Sequence, residues 1–166
     1  MFSDPLKNTF EFGFIPGETV VDFGSGAGHY SYALSNTVGP SGKVIAVDIQ
    51  KEMLVRLKNE AEKDGRTNIE TVWGDVEKQN GTHLRDGVAA GAVLSNILSM
   101  VEDREGTIRE AKRVVRPGGK VCVVEWIDKI SKDKMKELFD TAGLSFERVF
   151  EAGSHHYGMI FKKSIA

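Results

Sequence analysis

The sequence contains a single cysteine, Cys122, in 166 residues. One thiol cannot close an internal disulfide or build a paired-cysteine metal site, so a secreted disulfide framework is excluded. An excess of one charge is also missing: 22 Lys and Arg stand against 24 Asp and Glu, a formal net charge of -2. That balance exerts no global pull toward nucleic-acid phosphates or an anionic membrane surface. No apolar run approaches the ~20 residues that a membrane-spanning helix requires. The first residues, Met1-Phe2-Ser3-Asp4-Pro5, show neither the basic region nor the apolar stretch of a signal peptide. Linkers, repeats and low-complexity tracts are absent as well. What is present, 40% hydrophobic and 28% charged residues, is the composition of a globular protein. A chain of this length buries roughly 70% of its unfolded surface and needs no covalent staples. The expectation is one cytoplasmic domain over residues 1–166, in which 1–18 form an N-terminal segment.

Short β-rich runs alternate with longer amphipathic stretches. Residues 19–23 read as a strand, followed by a glycine loop and a helix over about 29–36. Residues 43–48 form a near-continuous apolar run, as in a strand buried on both faces. Met53, Leu54, Leu57 and Ala61 recur at helical spacing within 51–64, and Gly65 suits the end of that helix. Further strands are expected over 68–73, 87–94 and 120–126, with helices over 102–115 and about 131–142. Arg116-Pro117-Gly118-Gly119 stops the helical stretch over 102–115, because proline cannot continue it. Residues 145–151 and 157–162 read as a closing hairpin across 152–156. Strands alternating with helices mean crossover units, hence an α/β sandwich around a mostly parallel sheet with one antiparallel strand added last.

In such a sheet, ligands bind beyond the carboxyl ends of the strands. Polar residues at those ends are therefore the candidates. After the first strand come Gly24, Ser25, Gly26 and Gly28, which permit a tight turn and close approach to the backbone. Asp48 ends the second strand, 20 residues beyond Gly28, where a carboxylate can accept both hydroxyl hydrogens of a ribose. Gly74 and Asp75 end the third strand, Asp75 as an acceptor for an exocyclic amine. Ser95 and Asn96 end the fourth. The glycine loop alone fits more than one cofactor class. The dinucleotide fingerprint wants Gly or Ala at its sixth position, where this chain has His29.

Taken together, Val21-Asp22-Phe23-Gly24-Ser25-Gly26-Ala27-Gly28, Val44-Ile45-Ala46-Val47-Asp48, Gly74-Asp75 and Arg113-Val114-Val115-Arg116-Pro117-Gly118-Gly119-Lys120 resemble, in order, the motifs of class I S-adenosylmethionine-dependent methyltransferases. Within that family the chain looks most like the branch similar to ubiquinone/menaquinone-biosynthesis methyltransferases. The resemblance covers roughly residues 15–162. It implies a Rossmann-like seven-stranded sheet of order 3-2-1-4-5-7-6 with strand 7 antiparallel, and S-adenosylmethionine as cofactor. It further implies that Gly24, Gly26 and Gly28 accommodate the methionine part, with Ser25 in the same loop. Asp48 would hold the ribose, Asp75 (after Gly74) the adenine amine, and Ile49 and Val76 the two faces of the base. Ser95 would receive the ammonium group, with Asp22 nearby. No metal is implied, and the expected acceptor is a small molecule methylated at O, N or C.

The chain is short for a small-molecule member. Only four residues separate Trp126 from Ser131, so the acceptor side is thinly roofed. The roof then comes from a large substrate, from a second subunit, or from residues 1–14, which carry Phe2, Phe10, Phe12 and Phe14. The alternative for those aromatics is packing on the domain's flank. His155 and His156 in the hairpin, with Asn96, are the catalytic candidates. An imidazole, with an unperturbed pKa near 6.5, suits removal of a proton from an acceptor, and the pair is expected to face Glu125 and Trp126. Three rival functions remain: a non-catalytic cofactor-binding subunit, a nucleic acid or protein methyltransferase, and a nicotinamide-dependent oxidoreductase.

Overall fold

The computed structural model describes residues 3–166. It contains helices α1 (Pro5–Phe12), α2 (His29–Val38), α3 (Lys51–Lys63), α4 (Arg104–Val114) and α5 (Lys132–Thr141). Its strands are β1 (Thr19–Phe23), β2 (Lys43–Asp48), β3 (Ile69–Trp73), β4 (Ala89–Ser95), β5 (Val115–Trp126), β6 (Ser145–Gly153) and β7 (His156–Lys162). The sheet order is β3-β2-β1-β4-β5-β7-β6, with β7 antiparallel to both β5 and β6. The expected topology is the observed one. No helix among the described residues is long and apolar enough to cross a membrane.

Side chains alternate across the sheet, so each strand feeds two cores. On one face, Val21 and Phe23 of β1 join Val121 and Val123 of β5 beneath Ile108 and Ala111 of α4 and Met135 and Phe139 of α5. On the other, Val20, Val44, Val93 and Val124 pack with Leu34 and Val38 of α2. The same alternation places Asp22 on the α2 face, where the Ser31 hydroxyl donates to it at 2.7 Å. Trp126 and His156 are register partners at the ends of β5 and β7, on that same face. Glu125 and Tyr157, one residue along each strand, point to the α4–α5 face instead.

Several boundaries differ from the sequence reading. The second helix runs to Val38, and the hairpin turn is only Ser154-His155, because pairing continues through Gly153↔His156. Strand β5 begins at Val115 rather than Lys120. Residues 116–119 form an irregularity between the pairs Ala89↔Val115 and Gly91↔Lys120, so the proline–glycine stretch bulges within the strand instead of preceding it.

Helix α1 was not foreseen as a helix. Its N-cap, Asp4, accepts from the amides of Leu6 and Lys7, and Pro5 fills the first turn where no amide is needed. Phe12 is fully buried against Tyr30, Phe14 and Phe150, and Phe14 is nearly so. The buried Asn8 amide donates to the Tyr30 hydroxyl at 2.9 Å and to the Ala152 carbonyl at 3.0 Å. Flank packing therefore accounts for Phe12 and Phe14, whereas Phe10 is exposed and Phe2 lies outside the described residues.

Candidate functional site

Two adjoining cavities open at the carboxyl ends of the strands. The smaller, about 340 Å³, is lined by Asp48, Ile49, Asp75 and Val76 among others. The larger, about 520 Å³, is lined by Asp22, Ser25, Tyr30, Trp126 and His156 among others. Gly24, Gly26, Ser95 and Asn96 line both, so the two are arms of one cleft that narrows between the glycine loop and the end of β4.

The loop is held by β2. Amides of Gly24 and Ser25 donate to the Val47 carbonyl at 2.8 and 3.0 Å, continuing the β1–β2 pairing beyond the strand. The Gly26 amide donates to Asp48 Oδ2 and the Gln50 amide to Asp48 Oδ1, each at 2.8 Å. Asp48 thus clamps the loop, and each oxygen retains capacity to accept again. The glycines divide by role. A Cβ on Gly26 would meet no atom within 4 Å and would project into open space. One on Gly28 would lie 2.3 Å from Leu57 Cδ1 of α3. Gly28 lines neither arm of the cleft; its bareness serves the contact with α3.

Asp22 is almost wholly buried. Burial pushes its pKa up to about 6, the Ser31 hydrogen bond opposing and the nearby Asp48 adding to the rise. Between its ordinary 3.8 and about 6 the folded chain holds a proton that the unfolded chain has released. Stability therefore falls as pH rises through that window. Asp22→Asn, which keeps an oxygen for Ser31, is expected to be more stable than the parent near pH 7, by about 1–3 kcal/mol, and indistinguishable near pH 4. Thermal denaturation at both pH values checks this; a variant less stable near pH 7 would show that the ionised carboxylate supports the fold.

At the end of β4, Asn96 adopts a left-handed backbone, φ 55°, and its amide donates to the Val124 carbonyl at 2.8 Å. Asparagine tolerates that conformation better than most side chains. Its Oδ1 and the Ser25 hydroxyl are buried without a protein partner among the described residues. His156 is 5% exposed, packs on Trp126 with ring centroids 4.0 Å apart, and has no hydrogen-bond partner for either ring nitrogen among the described residues. Burial holds its pKa below the ordinary value, and the neighbouring His155 adds to the depression.

The structure separates groups that the sequence reading had put together. His155 sits exposed in the hairpin turn and lines neither arm of the cleft. Glu125 is on the opposite face, accepting from the Ser99 amide and hydroxyl at 3.2 and 2.9 Å. Among the described residues no cluster of His, Cys, Asp and Glu is arranged to hold a metal ion. On the smaller arm, Asp75 Oδ1 accepts from the Glu77 amide at 3.0 Å, Val76 is buried and Ile49 is 57% exposed at the rim.

Sequence reasoning missed Ser3, Pro5 and Tyr30 in the larger arm and Met53, Ile97 and Met100 in the smaller. Tyr30, directly after His29 in the first turn beyond the glycine loop, was within reach of the motif. Ser3 and Pro5 carried no signal, since only the packing of α1 brings them to the cleft.

Residues 15–162 match the family model described as "Methyltransferase domain". An arsenite methyltransferase of Halobacterium salinarum is 34% identical over 110 residues, which is 65% of this chain and 27% of that protein. A demethylmenaquinone methyltransferase of Lactococcus lactis is 29% identical over 162 residues, 96% of this chain and 59% of that protein. The chain thus spans less than two thirds of the length of these curated relatives. A crystal structure of a SAM-dependent methyltransferase from Aquifex aeolicus superposes with a TM-score of 0.87 at 28% identity, covering 96% of this chain and 89% of that one. With the sheet order, the glycine loop clamped by the acid of β2 and the match over residues 15–162, this chain belongs to the methyltransferase domain family, in its class I S-adenosylmethionine-dependent branch.

Proposed function

We propose that this chain binds S-adenosylmethionine across the narrow waist of the cleft and methylates a small organic acceptor in the larger arm. The observation that carries this reading is the division of the cleft. Asp48 and Asp75 line one arm, Trp126 and His156 the other, and only the glycine loop and Ser95-Asn96 lie between. The open space over Gly26, the exposed Ile49 beside Val76, and the unpartnered oxygens of Ser25 and Asn96 fit a ligand with a flat base and a polar tail.

Asp48 accepts the ribose hydroxyls with the same oxygens that hold the Gly26 and Gln50 amides. Asp75 accepts from the adenine amine, and Ile49 and Val76 flank the base. Ser95 and Asp22 receive the ammonium end, beside Gly24, Ser25 and Gly26. When bound, the cofactor supplies a methyl group already activated on a sulfonium. The protein's contribution is then chiefly orientation: Asn96 at the waist and His156 in the larger arm set the acceptor's line of approach.

Of the acceptors named for the relatives, arsenite is a soft centre that thiolates bind well. Here the sole thiol, Cys122, is buried in β5 with its pKa pushed up to about 12, and it lines neither arm. The larger arm is instead walled by aromatic rings, which suit an organic acceptor. Ser3 and Pro5 of the N-terminal segment form part of that wall, so the start of the described segment serves as a partial roof. Calorimetric titration with S-adenosylhomocysteine and, separately, with NADH tests the reading. Binding of the first alone is expected; a chain that binds only the second, or neither, overturns it. A metabolite panel followed by S-adenosylhomocysteine release then identifies the acceptor.

A further inference from the structure

No lysine or arginine lines either arm of the cleft, yet the cofactor's methionine end carries a carboxylate as well as an ammonium. One side chain of the larger arm is set up to meet the carboxylate. Tyr30, in the first turn of α2, is 7% exposed, and the hydroxyls of Ser3 and Ser95 lie beside its own. The Asn8 side chain, buried beneath α1, decides how the Tyr30 hydroxyl is used. Its nitrogen donates to the Ala152 carbonyl at 3.0 Å and to the Tyr30 oxygen at 2.9 Å. A carbonyl can only accept, so the nitrogen must stand on that side of the amide and the phenol must accept from it. The phenol proton is thereby turned away from Asn8. It points to Ser3 Oγ at 3.4 Å, beyond the usual O–H···O range of roughly 2.5–3.0 Å. The result is a buried donor beside the glycine loop with only a weak acceptor.

We infer that the Tyr30 hydroxyl donates a hydrogen bond to the carboxylate of bound S-adenosylmethionine, and that Asn8 of α1 is the positioning residue that aims it. This rests on the reading of the cleft as a methyltransferase site. Burial raises the Tyr30 pKa above its ordinary value, against the hydrogen bonds of Ser3, Asn8 and Ser95 and with the added push of Asp22. The phenol therefore keeps its proton at neutral pH and acts as a donor. An ionised acceptor makes the stronger hydrogen bond, so the proton turns from Ser3 to the carboxylate when the ligand arrives. Asp22, the acid of this arm, answers the ammonium of the same zwitterion. Asn8 lies outside the residues 15–162 that match the family, so this contact is an addition by the N-terminal segment to the shared cofactor site. Helix α1 thus contributes to affinity through Tyr30, and its docking on Ala152 of β6 is part of the site.

The test is calorimetric binding of S-adenosylhomocysteine and of its decarboxylated analogue, whose amino-acid end is reduced to a propylamine. The parent should prefer the first. In Tyr30→Phe the first should weaken about 10- to 100-fold, the range for a hydrogen bond to a charged group, and the second less than about twofold. Asn8→Ala keeps the hydroxyl but not its aim, so it should lose about three- to tenfold on the first ligand alone. Tyr30→Phe made on top of Asn8→Ala should then cost less than it does in the parent, because the two side chains act as a unit. A merely structural role gives a different pattern: a smaller folded fraction or a loosened α1 lowers both affinities alike. Equal losses for the two ligands in Tyr30→Phe overturn the inference. Unchanged S-adenosylhomocysteine affinity in Asn8→Ala overturns the part assigned to Asn8. A parent that binds neither ligand removes the methyltransferase reading and this inference with it. Binding of both ligands by the parent with equal losses in Tyr30→Phe removes the inference alone.

Discussion

Gly26→Val is expected to abolish S-adenosylhomocysteine binding, whereas Gly28→Ala is expected to cost stability and leave the affinity of the folded fraction nearly unchanged. The two positions are two residues apart and both have left-handed backbones, φ 53° and 89°. Sequence alone gives them the same role. Their surroundings do not. A side chain at Gly26 enters the waist of the cleft, where both arms meet and where the ligand's methionine part would lie. Because a β-branched residue is strained at that φ, Gly26→Ala is the companion variant. It carries only the ~1–2 kcal/mol of the left-handed conformation, yet should still weaken binding by at least about tenfold. At Gly28 an added methyl collides with Leu57 Cδ1, so strain and overpacking together should remove about 2–5 kcal/mol of stability. Denaturant melts and calorimetry on the same preparations separate the two effects. Binding retained in both Gly26 variants would place the ligand elsewhere.

That contrast shows where sequence reading stops. The parallel sheet was legible because β1, β2 and β4 are short, mostly apolar runs, and because the glycine loop after Phe23 and the Gly39-Pro40-Ser41-Gly42 turn after Val38 end elements. Chain order and the right-handed crossover then leave few arrangements of the sheet. The acids at strand ends were legible for the same reason: Asp48 must emerge at the carboxyl edge wherever β2 is placed. Boundaries were less so, because pairing runs past the residues that favour turns, as at Gly153↔His156 and through the bulge after Val115.

What escaped depends on which face a side chain takes and on contacts between distant segments. Glu125 and Trp126 are neighbours in sequence but point to opposite sides of the sheet, so only Trp126 can accompany His156. His155 and His156 divide likewise, one in the solvent-facing turn and one in the first pair of β7. Alternation along β7 would have shown that the two rings diverge, had the strand been started one residue earlier. Nothing local announces that Asn8 reaches Tyr30 and Ala152, 144 residues away, and thereby carries Ser3 and Pro5 to the cleft.

Asp48→Ala carries the second large effect, an expected loss of about 1–3 kcal/mol in S-adenosylhomocysteine affinity, roughly 5- to 150-fold. Two causes contribute, because the carboxylate both faces the smaller arm and holds the loop through the Gly26 amide. Removing it leaves ribose hydroxyls unpaired and frees Gly26 to move. Asparagine does not separate the causes, since its amide nitrogen would face one of the two N–H groups that Asp48 now accepts from. A ligand change does. Comparing S-adenosylhomocysteine with the analogue lacking both ribose hydroxyls, in parent and variant, closes a cycle whose coupling isolates the direct contact. If Asp48 binds the ribose, the parent should discriminate strongly between the two ligands and Asp48→Ala only weakly. Equal losses for both ligands would mean that Asp48 acts solely by clamping Gly26, and that another group receives the ribose. The Gln50 amide lies at an exposed residue and can turn to water, so the stability cost should stay near that of one lost hydrogen bond, about 1 kcal/mol. A much larger cost would mean that the β2–loop clamp, and not the ligand, is the principal reason for an acid at this position.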